Sequence, residues 1–204
     1  MILHKFPCGP LGTNAILFGA DHEGAVIDPA MGSTPKLLHQ AKVDGLKIGK
    51  ILLTHSHWDH IVDVQILKEK TGALLYVHPA DAANVQNPGS DGLPLSIEIK
   101  GAAPDHFLEE GMSIHVGSLH LEVIHTPGHS FGSICLYLRK EGILFSGDTL
   151  FYRAIGRMDL PTGDPAAMRA SLKKLSELPP DTRVIPGHGP ETRIGDVKQL
   201  YMNF

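Results

Sequence analysis

Short apolar runs separated by turns dominate the N-terminal quarter of the chain. Residues 15–18 and 25–27 are two such runs, and the Gly-containing turn between them predicts a strand hairpin. Pro35, a residue type favoured in the first turn of a helix, opens a pattern that predicts a helix to about Val43. We therefore expect paired strands followed by a helix at the start of the fold.

The next part of the chain predicts strands that alternate with helices. Residues 50–53 predict a strand, and the helix after it would end at Gly72. Residues 74–77 predict another strand, and Pro79 would open a short helix. Four apolar residues would form the buried side of the first of these helices: Ile61, Val62, Ile66 and Leu67.

Residues 87–105 are rich in Gly, Pro, Ser and Asp and show little periodicity. A connection of this length within a compact domain is either a functional flap or an excursion over the surface, and both remain open. Beyond it, helices are predicted from Pro165 and over residues 191–201. Further strands are predicted at residues 119–124, 133–138, 142–145 and 183–185.

Composition and charge mainly exclude certain classes of protein and partner. A chain of 204 residues with 42% hydrophobic and 20% charged residues is typical of a single globular domain, which we expect to span residues 1–204. The formal net charge of -4 argues against nucleic acid as a partner. No apolar run is long enough to span a bilayer, and the N-terminus lacks the apolar segment of a signal peptide. The two cysteines, Cys8 and Cys135, form no disulfide framework, so we expect a reduced, cytoplasmic protein.

The densest group of candidate metal ligands directly follows the predicted strand at residues 50–53 and consists of His55, His57, Asp59 and His60. Imidazole and carboxylate are ligands that Zn, Fe and Mn accept. In an extended loop the two His of the His-x-His pair point to the same side, whereas the later Asp and His follow the turn into a helix and can face a second point. We interpret this stretch as the centre of a metal site.

The same arrangement recurs three more times, because a short apolar strand again ends in small or turn-forming residues and then a ligand type. These further ligands are His129, Asp148 and His188. Gly and Pro let the backbone turn sharply at a strand end and bring each side chain to one rim of a sheet. Seven ligands are too many for one catalytic ion, so they predict two divalent ions about 3.5–4 Å apart, with Asp148 as the bridge. Zn²⁺ is the expected metal, with Fe or Mn as alternatives.

The motif order His-x-His-x-Asp-His, Thr-Pro-Gly-His, Ser-Gly-Asp and Gly-His-Gly resembles that of the metallo-β-lactamase-fold hydrolases over residues 1 to about 195. Within that superfamily the chain looks most like the glyoxalase II (hydroxyacylglutathione hydrolase) branch, through these motifs and the segment Gly-Arg-Met-Asp-Leu-Pro at residues 156–161. The resemblance implies an α/β (α+β) fold, an αββα sandwich, in a short single-domain form. The C-terminal helical domain that completes the glutathione site of longer members is not expected.

The resemblance also implies a role for each residue. The first ion would be held by His55, His57 and His129, the second by Asp59, His60 and His188, and Asp148 would touch both. The implied reaction is hydrolysis of a thioester, such as S-D-lactoylglutathione or a related acyl-thiol, by a hydroxide held between the ions. Asp59 would orient the hydroxide and could carry a proton. Arg157 occupies the position of a cationic contact to glutathione in the family, and an ordinary surface role for it is the equal alternative.

Other functions remain open. A mononuclear iron dioxygenase acting on glutathione persulfide shares the loop series but uses only two His and the equivalent of Asp148, so the full set of ligands favours the hydrolase. A non-catalytic metal-stabilised protein would require closed coordination, and a nuclease would require a basic surface. Two departures from the glyoxalase II pattern, Val62-Asp63 in place of paired Gly and Gly189-Pro190 after His188, weaken the case for glutathione itself. The remaining His lack the turn context and are interpreted as surface or hydrogen-bonded residues: His4, His22, His39, His78, His106, His115, His120 and His125.

Overall fold

The computed structural model of the protein describes residues 1–197 of the chain. Its first sheet joins six strands in chain order. The first two pairs in this order are antiparallel, and the remaining pairs are parallel, with connections that contain helices. The strands are β1 (Ile2–Cys8), β2 (Thr13–Ala20), β3 (Glu23–Ile27), β4 (Lys47–Leu52), β5 (Leu74–Val77) and β6 (His106–Phe107).

The second sheet also has six strands, in the order β14 (Thr192–Arg193), β13 (Arg183–Pro186), β10 (Ile143–Gly147), β9 (Ile134–Leu138), β8 (Leu119–His125) and β7 (Ser113–Val116). All neighbours in it are antiparallel except β10 and β13, which are parallel. A separate small hairpin follows β10 and consists of β11 (Leu150–Phe151) and β12 (Ala154–Ile155).

Helices cover the outer faces of both sheets. Local signals start and stop them. Pro35 lies in the first turn of α1 (Thr34–Val43), and Gly72 adopts the left-handed conformation after α3 (Val64–Thr71). The Asp164 carboxylate accepts two backbone N–H groups at the start of α5 (Pro165–Ser176). The other helical elements are α2 (Trp58–Ile61), a 3₁₀ turn (Pro79–Asp81) and α4 (Ala82–Gln86). In the described chain, no helix has the length and apolar character needed to cross a membrane.

The layers explain why several strands are apolar on both faces. In β2, Leu17 packs in the core shared with α1 and α3, whereas Phe18 packs in the core between the sheets. There the ring of Phe18 lies 5.4 Å from that of Phe145 in the second sheet. A third core joins the second sheet to α5 through Leu172. The four layers are helix, sheet, sheet and helix, which confirms the αββα sandwich.

Most predicted elements are present, and the differences have physical causes. Strand β1 was not predicted, because this edge strand is half-exposed and carries polar residues and Pro7. The prediction that Ile66 is buried is wrong, since it is 44% exposed. The predicted helix is broken between α2 and α3, and Val64 takes the buried position instead. Of the predicted helix at residues 191–201, residues 192–193 form β14, residues 194–197 are helical, and the rest lies outside the described residues.

Candidate metal centre

The seven predicted ligands converge at one end of the sandwich, where strands from both sheets end. The His-rich loop follows β4, His129 follows β8, Asp148 follows β10 and His188 follows β13. The two sheets meet directly at this end, because the N–H of Asn14 at the start of β2 donates to the carbonyl of Gly187 at 2.7 Å. Both sheets therefore contribute to one group of side chains.

The first group consists of His55, His57 and His129, each of which is buried. One ligand atom from each lies within 4.8 Å of the others. The closest approach is between Nδ1 of His57 and Nε2 of His129, at 2.8 Å. This spacing is compact enough for one ion to contact all three imidazoles.

The second group consists of Asp59, His60 and His188, which meet the same spacing. Nε2 of His188 lies 3.3 Å from Nε2 of His60 and 3.3 Å from Oδ2 of Asp59. Asp148 stands between the two groups. Its Oδ2 atom lies 3.5 Å from Nε2 of His129 in the first group and 3.4 Å from Nε2 of His188 in the second. The carboxylate is therefore placed where a bridging ligand would be required.

The buried nitrogen atoms of this centre fit divalent metal ions. Nε2 of His55 is buried without a hydrogen-bond partner in the described structure, a state that costs free energy unless another ligand satisfies the atom. Burial, with smaller contributions from neighbouring imidazoles, lowers the pKa of His57 to about 3 and that of His55 well below its ordinary value. Both rings are therefore neutral near pH 7, which is the form that binds a metal.

Oxygen atoms outside the cluster fix the orientation of three ligand rings. Because these oxygens only accept hydrogen bonds, each ring must carry its proton on Nδ1, which leaves Nε2 free towards the centre. The pairs are His60 with Oδ2 of Asp28 at 2.9 Å, His129 with the carbonyl of Arg157 at 2.9 Å, and His188 with the carbonyl of Leu11 at 3.1 Å.

The carboxylates are held as anions. Burial alone would raise the pKa of Asp59, but the charge of His60 and hydrogen bonds from His188 and Thr13 outweigh it and lower the pKa to about 2. Burial likewise opposes ionisation of Asp148, yet the same charge and hydrogen bonds from His188 and His60 hold its pKa well below its ordinary value. In the metal-free protein these anions stand beside His60, whose pKa they raise against the effect of burial. Binding of a metal ion would therefore have to displace a proton from His60.

Glycine is required where two loops approach the ligands. A Cβ atom on Gly187 would overlap Oδ1 of Asp148 and lie 2.8 Å from Cε1 of His60. Gly147 has a φ of +49°, and a Cβ atom there would lie 2.5 Å from Oγ1 of Thr54. The glycines that precede two of the ligands thus allow close packing of the centre as well as sharp turns.

Two residues that contact the ligands were missed from the sequence. Asp28 accepts hydrogen bonds from the N–H and the hydroxyl of Thr54, at 2.8 and 2.6 Å, as well as from His60. It directly follows β3, so the strand-end rule that found the other ligands applies to it too. Thr13 donates its hydroxyl to Oδ2 of Asp59 at 2.5 Å, and no local pattern distinguishes it.

The structure places the other predicted residues around the centre or away from it. Arg157 lies at the edge, where its guanidinium forms a two-point ion pair with Asp159 at 2.8 Å, and its side chain is 63% exposed. The eight remaining His belong to none of the possible metal groups within residues 1–197. Two of them, His78 and His125, stack with ring centroids 4.1 Å apart.

The ligands form the floor of a cleft of about 660 Å³. His57, Asp59, His129, Asp148 and His188 all reach it. Arg157 supplies the one lysine or arginine side chain that lines the cleft within the described chain. The walls are largely apolar and are formed by Leu11, Trp58, Leu93, Pro94, Phe151 and Leu160.

Comparison with protein sequences identifies similar proteins over almost the whole chain. A family model described as the metallo-beta-lactamase superfamily matches residues 8–188. The probable metallo-hydrolase YqgX of Bacillus subtilis is 37% identical over 194 residues, which cover 93% of this chain and 91% of that protein. The hydroxyacylglutathione hydrolase GloC of Haemophilus influenzae is 31% identical over 192 residues, covering 91% of this chain and 89% of the relative.

Comparison with solved structures gives the same picture. A structure described as BLEG-1 B3 metallo-beta-lactamase has a TM-score of 0.89 and 37% identity, with 97% of each chain covered. TTHA1623 in a di-iron-bound form has a TM-score of 0.84 and 40% identity, covering 96% of this chain and 97% of the other. ETHE1 from Myxococcus xanthus has a TM-score of 0.82 and 27% identity, covering 98% of this chain and 82% of the other.

Proposed function

The chain belongs to the metallo-beta-lactamase superfamily, and from that premise we propose that it is a metal-dependent hydrolase that cleaves a thioester. The similarity to YqgX, a probable metallo-hydrolase, supports the assignment as a metallo-hydrolase. The weaker similarity to GloC, which is named a hydroxyacylglutathione hydrolase, supports a thioester substrate such as S-D-lactoylglutathione. One observation carries the proposal: a second group of ligands, Asp59, His60 and His188, stands complete beside the first. A hydrolase that uses two ions needs both groups.

The metal ligands would be divided as the geometry groups them. His55, His57 and His129 would hold one ion, and the second group would hold the other, with Asp148 in contact with both. Two divalent ions bound there would supply a water molecule that ionises near neutral pH and a Lewis acid for the carbonyl oxygen of the substrate. We propose Zn²⁺ for both positions, and the di-iron-bound form of the similar TTHA1623 makes iron the alternative.

Asp59 is the proposed catalytic carboxylate. It reaches the cleft, its pKa is lowered to about 2, and the hydroxyl of Thr13 holds Oδ2 in place. A carboxylate in this state is an anion near pH 7 and can orient the attacking water molecule by accepting a hydrogen bond from it. The thiolate that leaves is a weak base, because an ordinary thiol has a pKa of about 8.5, so the reaction requires no strong general acid.

Arg157 is the proposed contact for an anionic part of the substrate. Its side chain lies at the exposed edge of the cleft, where a guanidinium can form a two-point contact with a carboxylate. Asp159 already forms such a two-point contact with Arg157. Binding of a substrate carboxylate would therefore have to displace Asp159, which limits the net gain from this contact.

The second candidate function is a mononuclear iron dioxygenase acting on glutathione persulfide. It is favoured by the compactness of the first group, which together with Asp148 would provide enough ligands for one iron. A single iron does not explain why Asp28 accepts a hydrogen bond from His60. It also does not explain why the hydroxyl of Thr13 donates to Asp59. The hydrolase accounts for these contacts, because they orient ligands of the second ion.

The decisive experiment measures the metal content of protein purified without added metal, together with three reactions. These are hydrolysis of S-D-lactoylglutathione, oxygen uptake with glutathione persulfide, and hydrolysis of a cephalosporin, which is included because the similar BLEG-1 is described as a B3 metallo-beta-lactamase. Two zinc ions per chain with thioester hydrolysis support the proposal. One iron with oxygen uptake, or cephalosporin hydrolysis without thioester hydrolysis, overturns it.

A further inference from the structure

The segment that appeared irregular in the sequence has a regular pattern of burial. Residues 91–100 lie outside the assigned strands, yet half-buried or buried positions alternate with exposed ones. The inward side chains of Leu95, Ile97 and Ile99 pack against the core of the first sheet, whereas Leu93 and Pro94 line the cleft. The segment is therefore packed against the protein along its length and ends beside the metal centre.

Asn84 ties this segment to the His-rich loop. Its side-chain NH₂ group donates to the carbonyl of Ser56, which lies between two ligands, at 2.7 Å, and to Oδ2 of Asp91 at 3.0 Å. Its amide oxygen accepts from the N–H of Gly89 at 2.9 Å. The other oxygen of Asp91 accepts from the N–H of Leu93 at 3.0 Å. The position of Leu93 is thus fixed relative to the metal ligands through hydrogen bonds that are buried or partly buried.

The segment meets a second apolar stretch of the wall. A Cβ atom built on Gly92 would lie 3.4 Å from Cβ of Pro161, so residues 92 and 161 adjoin and Leu93 and Leu160 line the same side of the cleft. Leu160 and Trp58 are half-buried, as is Leu93, whereas Arg157 is exposed. The wall beside the ligands is therefore apolar, and the guanidinium of Arg157 lies at the exposed edge of the cleft.

From this arrangement we infer that Leu93, Leu160 and Trp58 form a fixed apolar wall that selects thioesters with an alkyl acyl chain, and that Asn84 and Asp91 position it. The inference rests on the proposed function and names its substrate class. A polar hydroxyacyl group would leave these side chains in contact with water. An alkyl chain would cover them, while a charged thiol carrier could extend past Arg157 into solvent.

The hydrophobic effect gives the expected size of the selection. Complete burial of one methylene group is worth about a fourfold change in affinity. The wall is only half-buried, so we expect roughly a twofold change per methylene over the first several carbons. An S-hexyl group should therefore bind at least about tenfold more tightly than an S-methyl group on the same carrier.

The test uses S-methylglutathione and S-hexylglutathione, which are thioethers that cannot be hydrolysed, and measures their binding to the full chain by calorimetry with and without zinc. Hydrolysis of S-acetyl-, S-lactoyl- and S-hexanoylglutathione by the zinc-loaded protein is measured in parallel. Every compound contains the same glutathione carrier. Differences in affinity among the thioethers are therefore caused by the S-alkyl chain, and differences in hydrolysis among the thioesters are caused by the acyl chain. We expect S-hexylglutathione to bind more tightly and the hexanoyl thioester to have the largest kcat/KM.

Two variants assign the effect to the wall. Leu93→Asn keeps the size of the side chain but makes it polar, and it should weaken binding of the hexyl compound about fivefold while leaving the methyl compound unchanged. Asp91→Asn leaves only one acceptor for the two donors from Asn84 and Leu93, so it should also weaken hexyl binding, with the metal content retained. Leu74→Asn is the matched control, because Leu74 is 42% exposed and does not line the cleft.

The results separate this inference from the proposed function. Equal affinity for the two thioethers, or an equal loss for both in Leu93→Asn, would overturn the apolar wall even if S-lactoylglutathione is hydrolysed. Tighter binding of the hexyl compound without hydrolysis of any thioester would instead overturn the thioesterase and leave the wall supported.

Discussion

The Nδ1 atom of His60 lies 2.9 Å from Oδ2 of Asp28, and solvent reaches almost none of either side chain. Thr54 binds the same carboxylate through its N–H and its hydroxyl. Asp28 therefore determines which nitrogen of His60 faces the proposed second ion, although it is not one of the predicted ligands. Its backbone has a φ of +49°, which few non-glycine residues adopt, so these contacts hold it in a costly conformation.

The variant Asp28→Asn should weaken binding of the second ion about 10- to 100-fold. An amide NH₂ group opposite Nδ1 of His60 would favour the tautomer that carries its proton on Nε2, which cannot bind a metal. Competition with a chromophoric chelator measures the affinity. Asp105→Asn is the control, because this carboxylate also accepts a backbone N–H, from Leu75 at 2.7 Å, but lies away from the centre. Unchanged affinity in Asp28→Asn would contradict the assigned role.

The variant Asp148→Ala should lose turnover and hold fewer than two ions per chain. The carboxylate lies between the two ligand groups, and its removal takes a ligand from both ions at once. Elemental analysis of the purified variant measures the occupancy. Asp159→Ala, which removes an exposed carboxylate at the edge of the cleft, should keep its metal. An active and fully metallated Asp148→Ala protein would refute the bridging assignment.

Thr13→Val should reduce kcat at least about tenfold, because a hydrogen bond to a charged group is worth about 1.5–3 kcal/mol. Valine has nearly the shape of threonine, so the main change is loss of the hydroxyl that donates to Asp59 at 2.5 Å. Thr13→Ser retains the hydroxyl and should restore most of the rate. Steady-state kinetics on the zinc-loaded proteins provides the comparison, and equal rates for the valine and serine variants would show that the hydroxyl has no part in turnover.

His78 should make the protein less stable in mild acid. Burial, and then the charge of His125, lower the pKa of His78 to about 4, and its Nδ1 atom accepts a hydrogen bond from the N–H of Ala80. The unfolded chain takes up this proton below pH about 6.5, but the folded protein does so only near 4, so stability falls as the pH drops through this range. Near pH 5 the loss should be on the order of 1 kcal/mol.

Urea unfolding between pH 4.5 and 7.5 tests this prediction. His78→Asn keeps an acceptor for Ala80 but does not titrate, and it should show a smaller loss of stability towards acid than the unsubstituted protein. His39→Asn provides a control in which a different His is removed. Parallel stability curves for His78→Asn and the unsubstituted protein would mean that His78 does not contribute to the pH dependence.

The outer contacts of the centre were harder to predict than its candidate ligands. Each predicted ligand follows a strand and a turn, a pattern set by neighbouring residues, and all seven meet at one end of the sandwich. Thr13 is 46 residues from Asp59 in the chain. The packing of α2 against β2 that brings them together leaves no local trace in composition or periodicity.

Residues 87–105 show a similar limit. Their composition indicates little periodicity, but Leu93, Leu95, Ile97 and Ile99 alternate with more polar residues. This alternation was overlooked because the surrounding Gly, Pro and Ser predict a loop. The structure shows both the loop and the alternation, since residues 91–100 form no strand but bury alternate side chains.

The sequence by itself determined which chemical groups are available and the turns that expose them at strand ends, because backbone preferences of Gly and Pro and the alternation of apolar residues act over a few positions. Only the tertiary structure decided which groups meet. His57 and His129 are 72 residues apart, yet their nitrogens lie 2.8 Å from each other. The physical reason is that burial of apolar faces between two sheets sets the relative position of their strand ends, and this depends on packing throughout the core.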